Sequence, residues 1–316
     1  MILIIDGNYL LHRNIFSLHK ERKLYGHLDD SLTLSTKTYS SWFPFKEIFF
    51  VSDSKVNWRK VFYIEYKGNR DKSSDIDWEF ANATYAEFKS ALPKRYTVME
   101  KEMVEGDDWI SYLTRYYNKV KKESVLIISN DGDIKQLLNC SPDHINLMVN
   151  ENFKYDNIYV PEDYKTWLAT ANSGQVTMDS LFDETESEKE EMIKFIKSLL
   201  HRREIKEVNY RRVLLEKIVM GDRGDNIKSV YIKNNRGIGE KTAQKIVDKY
   251  YDYFGKPTFN KECFDRVVDI VIEEKKLESN EFDNIKENVL FNNKLVNLYK
   301  LPDNIKKMIK EDYENR

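Results

Sequence analysis

The chain has 316 residues, 41% of them hydrophobic and 33% charged, which suits one large domain with an appendage or two modest domains. No apolar run approaches the roughly 20 residues that cross a bilayer, so no membrane-spanning helix is expected. The net charge of −2 argues, taken alone, against a nucleic-acid partner, and that argument holds only until the acidic residues are sorted by position.

The N-terminal MILII (1–5) is a continuous apolar run, the mark of a strand buried on both faces. It has no basic region before it and no small-residue cleavage site after it, so a signal peptide is not expected and a cytoplasmic location is. Further strands are predicted at EIFFVSD (47–53), YTVME (96–100), VLIIS (125–129) and INLMV (145–149), with helix-length segments between them, such as Asp107–Lys121. Strands alternating with helices imply an α/β fold, a mainly parallel sheet with helices on both faces.

The acidic segment DSLFDETESEKEE (179–191) reads as a solvated helix face or linker and marks a boundary. Beyond it the pattern is helical, over Lys194–Leu200, Tyr210–Met220, Lys241–Tyr250, Phe264–Lys275 and Asn304–Tyr313. Cys140 and Cys263 have no Cys or His at metal-ligand spacing and read as reduced thiols.

Ligands of parallel α/β sheets bind beyond the carboxyl ends of the strands, and here those ends carry acids. Strand one runs into Asp6, strand two into Asp53, and strand three leads to Glu105, Asp107 and Asp108. Strand four leads to Asp131 and Asp133, and Asp222 and Asp225 follow the helix that ends at Met220. Each has an ordinary explanation as a helix cap or turn residue. Together they would repel one another and raise each other's pKa unless cations compensate. With no His or Cys companions, hard oxygen-liganded ions are the natural choice, two Mg²⁺ with Mn²⁺ able to substitute. Two metals suit phosphodiester hydrolysis. Setting aside these nine carboxylates turns the net charge of −2 into +7, as a phosphate-binding surface needs.

In order along the chain come IDGN (5–8), VSD (51–53), WRKVF (58–62), YKGNRDK (66–72), EGDD (105–108), ISNDGD (128–133), GDRGDNI (221–227) and RGIGEKTAQKI (236–246). This series resembles the 5′-nuclease superfamily: flap endonucleases, the 5′-nuclease domain of bacterial DNA polymerase I, and the ribonuclease H of T-even bacteriophages. The segment at 287–305 (ENVLFNNKLVNLYKLPDNI) also resembles the phage type.

The resemblance implies a PIN-like catalytic domain at 1–190 and a helical DNA-binding region at 191–316, with a helix-hairpin-helix at 211–250. It implies one metal centre around Asp6, Asp53, Glu105, Asp107 and Asp131, with Asp108 the next acid of that motif, and a second around Asp133, Asp222 and Asp225. Lys67 and Arg70, three apart and expected on one helix face, would hold the scissile phosphate. Arg59 would contact a neighbouring phosphate, and Tyr66 would stack on an unpaired base. Residues 71–95 fall where the family carries its arch, with Trp78, Tyr85 and Phe88 more in keeping with a core.

At 236–246, Gly237 and Gly239 would permit close approach to a DNA phosphate at the helix start. Lys241, Thr242 and Lys245 would bind the duplex backbone without regard to sequence, and turn carbonyls would hold K⁺. KSVYIKNN (228–235) is an insertion relative to the bacterial polymerase relatives.

The function so implied is structure-selective 5′ to 3′ cleavage of RNA primers and 5′ flaps in replication. The expected agent is a monomer acting on DNA and RNA–DNA duplexes, with a single-strand-binding protein or sliding clamp as protein partner. Two other readings are a PIN-like ribonuclease and a non-catalytic duplex-binding module. The first does not need the 237–245 turn; the second predicts missing carboxylates, and none is missing.

Overall fold

In the computed structural model, which describes residues 1–20, 23–70, 75–151, 156–172 and 184–316, MILII supplies the centre of the sheet. Strand β1 (Ile2–Asp6) lies between β2 (Ile48–Val51) and β4 (Val125–Ile128), parallel to both. Strand β3 (Tyr96–Met99) pairs parallel with β2, and β6 (His144–Glu151) parallel with β4. The two-residue strand β5 (Cys140–Ser141) sits antiparallel on β6. Two strands absent from the sequence expectation complete the layer: β7 (Asp156–Pro161), antiparallel to β6, and β8 (Glu204–Val208), parallel to β7. Neither shows a long apolar run: β7 (DNIYVP) opens on polar residues and ends in proline, and β8 (EIKEV) has three charges in five residues, which hid them from a periodicity reading.

The described strands therefore run in the order β3-β2-β1-β4-β6-β7-β8, a mostly parallel sheet flanked by helices. One face buries Leu3 and Ile5 under helices α1 (Gly7–Lys20), α2 (Leu24–Ser40), α4 (Trp78–Ala91) and α7 (Glu184–Arg202). The other buries Ile2 and Ile4 under α5 (Gly106–Tyr116) and the C-terminal α12 (Asp303–Glu314). Short α3 (Trp58–Phe62) adds Trp58 to this second face, and α6 (Tyr164–Asn172) adds Tyr164 and Trp167 to the first. A third core joins α8 (Tyr210–Met220), α9 (Glu240–Phe254), α10 (Lys261–Lys275) and α11 (Phe282–Val296).

Residue 190 lies inside α7, whose Ile193, Ile196 and Leu199 belong to the sheet's core. Tyr85 and Phe88 are core residues, and Trp78 packs against the edge of the same core, its ring beside those of His12 and Phe16. Helix α4 is thus part of the sheet's cover; residues 71–74 of the expected arch lie outside the described residues. The acidic residues from Glu184 onward begin α7, while 179–183 are outside the described set. Both cysteines are free thiols, and among the described residues no helix is long and apolar enough to cross a membrane.

Candidate metal centre and nucleic-acid interface

The register of three strands decides where the acids meet. Asp6 is level with Val51 on β2, and Ile5 with Ile128 on β4. Asp53 and Asp131 follow those strands within three residues, so all three carboxylates project at one edge. This edge is also a topological switch point: β1 crosses to β2 and on to β3 on one side, and the chain then returns from β3 to β4 on the other side of β1, which opens a crevice at the carboxyl ends.

Several of these acids accept amides at helix starts or turns. Asp6 Oδ1 accepts the amide of Tyr9 at 3.0 Å and Oδ2 the hydroxyl of Ser129 at 2.7 Å. Helix α1 starts at the very end of β1, and only glycine fits there: a Cβ on Gly7 would lie 2.2 Å from Tyr85 Oη. Asp53 Oδ1 accepts the amide of Gly106 at 2.7 Å, fixing the start of α5 against β2. Asp131 Oδ1 accepts the amide of Asp133 at 2.8 Å.

The acids fall into three groups by their counter-charges. Asp6, Asp53, Asp107 and Asp131 form no ion pair among the described residues. Burial, with the Asp53 and Asp131 charges adding to it, pushes the Asp6 carboxyl up to about 7. Burial, then Asp131, Asp6 and Asp53, pushes Asp107 well above the usual range, and Asp53 is raised chiefly by burial. This is the orphaned set that a cation would stabilise.

The second group is Asp133, Asp222 and Asp225, each of which places one carboxylate oxygen within 4.8 Å of one from the other two. Lys217, one turn before the end of α8, ion-pairs with both Asp133 and Asp222. Burial raises Asp133 to about 6 against the pull of Lys217, whereas Asp222, less buried and held also by backbone amides, ends below the usual range. Asp225 accepts Arg70 Nη2 at 2.5 Å and Tyr66 Oη at 2.8 Å. Lys217 had no sequence signal: it is one lysine on an amphipathic helix, and only the fold carries Asp133 to it.

The third group is neutralised from inside. Arg59, 3% exposed, donates to Glu105 Oε2 at 2.6 Å, to Asp108 Oδ1 at 2.8 Å and to the Leu295 carbonyl at 2.9 Å. Asp108 is fully buried and also accepts Trp58 Nε1 at 3.0 Å. Arg59, expected at a neighbouring phosphate, is committed here to two buried carboxylates, and Asp108, expected with the metal-centre acids, is buried against Arg59 and Trp58. Glu105 is held below the usual carboxylate range because Arg59 and Lys67 together outweigh its burial.

Tyr66 is corrected too. Its ring is 3% exposed, closed in by the helical core, so it has no face for a base. Lys67 and Arg70 lie close together, but on a turn and not a helix; Lys67 has φ 55°. The turn is tied to the 222–226 loop, with Lys67 N donating to the Asp225 carbonyl at 2.9 Å and Arg70 Nε to that of Gly224 at 3.0 Å. Lys67 Nζ lies 2.5 Å from Glu105 Oε1. Both cations thus sit on the rim of the acidic groups, Arg70 with an exposed side chain.

At 228–254 the chain forms a hairpin of β9 (Ile232–Lys233) and β10 (Arg236–Gly237) and then α9. Gly239 caps α9 with nothing within 4 Å of a Cβ position, so the helix start is open. Lys241 is exposed and forms no ion pair among the described residues, and Thr242 is half-buried. Lys245, by contrast, pairs with Glu274 at 2.6 Å, so its charge is already met within the lobe.

The model of the 5′-3′ exonuclease N-terminal, resolvase-like domain matches residues 1–165. A 5′-3′ exonuclease of Buchnera aphidicola subsp. Schizaphis graminum is 29% identical over 170 residues, 51% of this chain and 54% of the relative. The match thus spans about half the length of that curated relative. Two solved structures share the fold over 94% of this chain and 89% of their own. They are bacteriophage T5 5′-exonuclease with bound divalent zinc ions (19% identity, TM-score 0.55) and T5 D15 protein co-crystallized with metal ions (20%, 0.54). With the acidic crevice at the carboxyl edge of the matched region, the chain belongs to the 5′-3′ exonuclease family.

Proposed function

We propose that this protein is a divalent-metal-dependent 5′ to 3′ nuclease that cuts RNA primers and 5′ flaps paired to DNA. The observation that carries the reading is the set Asp6, Asp53, Asp107 and Asp131, which form no direct ion pair among the described residues and of which only Asp53 and Asp107 feel the nearby Lys67 charge, with Asp131 close enough to raise Asp133 of the second group. Oxygen-only donors of this kind fit Mg²⁺ or Mn²⁺. Asp6, Asp53, Asp107 and Asp131 would hold one ion, with Glu105 beside it, and Asp133, Asp222 and Asp225 a second. Bound there, such ions polarise a phosphate and lower the pKa of water. The metal ions seen in the T5 relatives support the same reading.

The chain's own groups supply the rest. Lys67 and Arg70 stand on the rim, where a phosphate arriving at the crevice would exchange their present carboxylate contacts for its own oxygens. The buried Arg59 bridge holds Glu105 against α5 while this happens. We assign catalysis to the sheet's carboxyl edge and duplex binding to the helical lobe, where the open N-terminus of α9 and Lys241 offer donors to a backbone phosphate.

The test is a 5′-labelled panel of flap, nicked and RNA-primed duplexes, incubated with Mg²⁺ or with chelator. Short 5′ products that require the metal are expected on at least one substrate. The absence of such products from every substrate would overturn the proposal.

A further inference from the structure

The insertion at 228–235 takes no part in the chemistry above, yet it is built with care. Asn234 and Asn235, the two central residues of the hairpin, both have positive φ (52° and 61°), the signature of the tight turn that matches strand twist. The hairpin's base is clamped. Ser229 Oγ accepts the Ile238 amide at 2.9 Å and donates to the Tyr231 carbonyl at 3.1 Å. Asn292 Nδ2 donates to the Lys228 carbonyl at 2.8 Å, and Asn288 Nδ2 to that of Val230 at 3.0 Å. Gly237 allows this close seating, since a Cβ there would lie 2.8 Å from that of Ser229. A short ribbon fixed this firmly stands out from the lobe with Ile232, Lys233 and Arg236 exposed.

Its charges differ from those around it. On neighbouring helices Lys245 and Lys249 are met by Glu274 and Glu273, and Lys286 by Asp265. Lys233, Arg236 and Lys275 form no ion pair among the described residues. These three converge on one pocket of about 520 Å³, completed by Tyr231, Asn234 and Gly237. Three unmatched cations around one concavity repel one another, an arrangement suited to an anion. The nearby acids in sequence are Glu240, at the start of α9, and Glu273 and Glu274, which precede Lys275 and pair with Lys249 and Lys245; none of the three lines the pocket.

We propose that the β9–β10 ribbon and Lys275 form a phosphate-binding pocket that grips the backbone of a nucleic-acid duplex, in addition to the turn at 237–241. The inference rests on the nuclease reading for its partner, and chain geometry supports it. Lys233 is eight residues beyond Asp225, so at full extension it stands no more than about 28 Å away. That is less than one duplex turn of about 34 Å, so one duplex can occupy the crevice and the pocket together.

The test reads binding alone, in chelator, by fluorescence anisotropy with a blunt duplex of about 20 base pairs and a single strand of equal length. In the triple variant Lys233→Gln, Arg236→Gln, Lys275→Gln, duplex affinity at about 0.1 M salt is expected to fall roughly tenfold. The slope of log affinity against log salt is expected to drop by about 2–3, near 0.9 per lost phosphate contact. Single-strand binding should change less than twofold. Lys233→Arg with Lys275→Arg, which keeps the charges, should bind duplex like the parent. Unchanged duplex affinity in the triple variant, an equal loss on single strand, or binding of inorganic phosphate only would each overturn the proposal. Because no cleavage is read, the result stands whether or not the metal-dependent activity is found.

Discussion

At the residue scale the crevice is organised by which carboxylates have cations and which do not. Asp6, Asp107 and Asp133 have raised pKa values, so the folded protein binds more protons than the unfolded chain between about pH 4 and about pH 7. Linkage then requires stability to fall as pH rises through that window. In chelator, the chain should be less stable at about pH 8 than at about pH 5, by on the order of 2 kcal/mol, with Mg²⁺ restoring the loss. Thermal melts at both pH values check this; a metal-free protein equally stable at both would contradict the orphaned-acid description. Asp133→Asn should abolish cleavage and leave duplex binding in chelator within about twofold, since Lys217 keeps Asp222 as partner. Arg59→Ala should cost about 3–5 kcal/mol in urea unfolding, because it strands Glu105 and Asp108 in the interior. A loss under about 1 kcal/mol would mean the bridge is dispensable.

At the element scale, helix starts carry much of the site. Helix α1 begins at the end of β1, where Asp6 accepts the Tyr9 amide, and α5, capped by Glu105 with Asp108, gives its Gly106 amide to Asp53, which ties carboxylate position to helix position. Helix α9 differs in that its start is open, with Gly239 as cap and, beside it, Lys241 forming no ion pair among the described residues. Lys241→Glu should weaken binding to duplexes of any sequence alike, with the salt slope reduced by about 1. Binding assays on two duplexes of unrelated sequence decide it, and loss on only one of them would rule out a backbone contact.

At the scale of the whole molecule, the helical lobe and the sheet are interlocked. Strand β8, from beyond the acidic stretch, completes the sheet, and α12 returns from the far end of the chain to cover Ile2, Ile4 and Trp109. Arg59 reaches the Leu295 carbonyl across the same seam. Ile305→Ala, at a fully buried position, should therefore destabilise the sheet by about 2–4 kcal/mol. Its effect should show as lost amide-exchange protection in β1 and α5. Protection lost only within 282–316 would indicate two independent units.

Much of this was readable in the residues themselves. The apolar runs at 2–5, 48–51 and 125–128 allow little but buried parallel strands, and alternation with helices orders their acidic ends on one edge. Local chemistry suffices there, since hydrophobic runs and adjacent acids are neighbours in sequence. The charge pairing was not readable. Arg59 meets Glu105 and Asp108, Lys217 meets Asp133, and Tyr66 meets Asp225 over separations that no local pattern spans. Arg59, Lys67 and Lys217 are alike in sequence as cations near acids, and only tertiary packing decides that the first is buried and committed while the second stays on the rim. The chain by itself determined which carboxylates could gather. The fold decided which were left without a counter-charge, because electrostatic compensation depends on distance and burial, and both are set by contacts between remote segments.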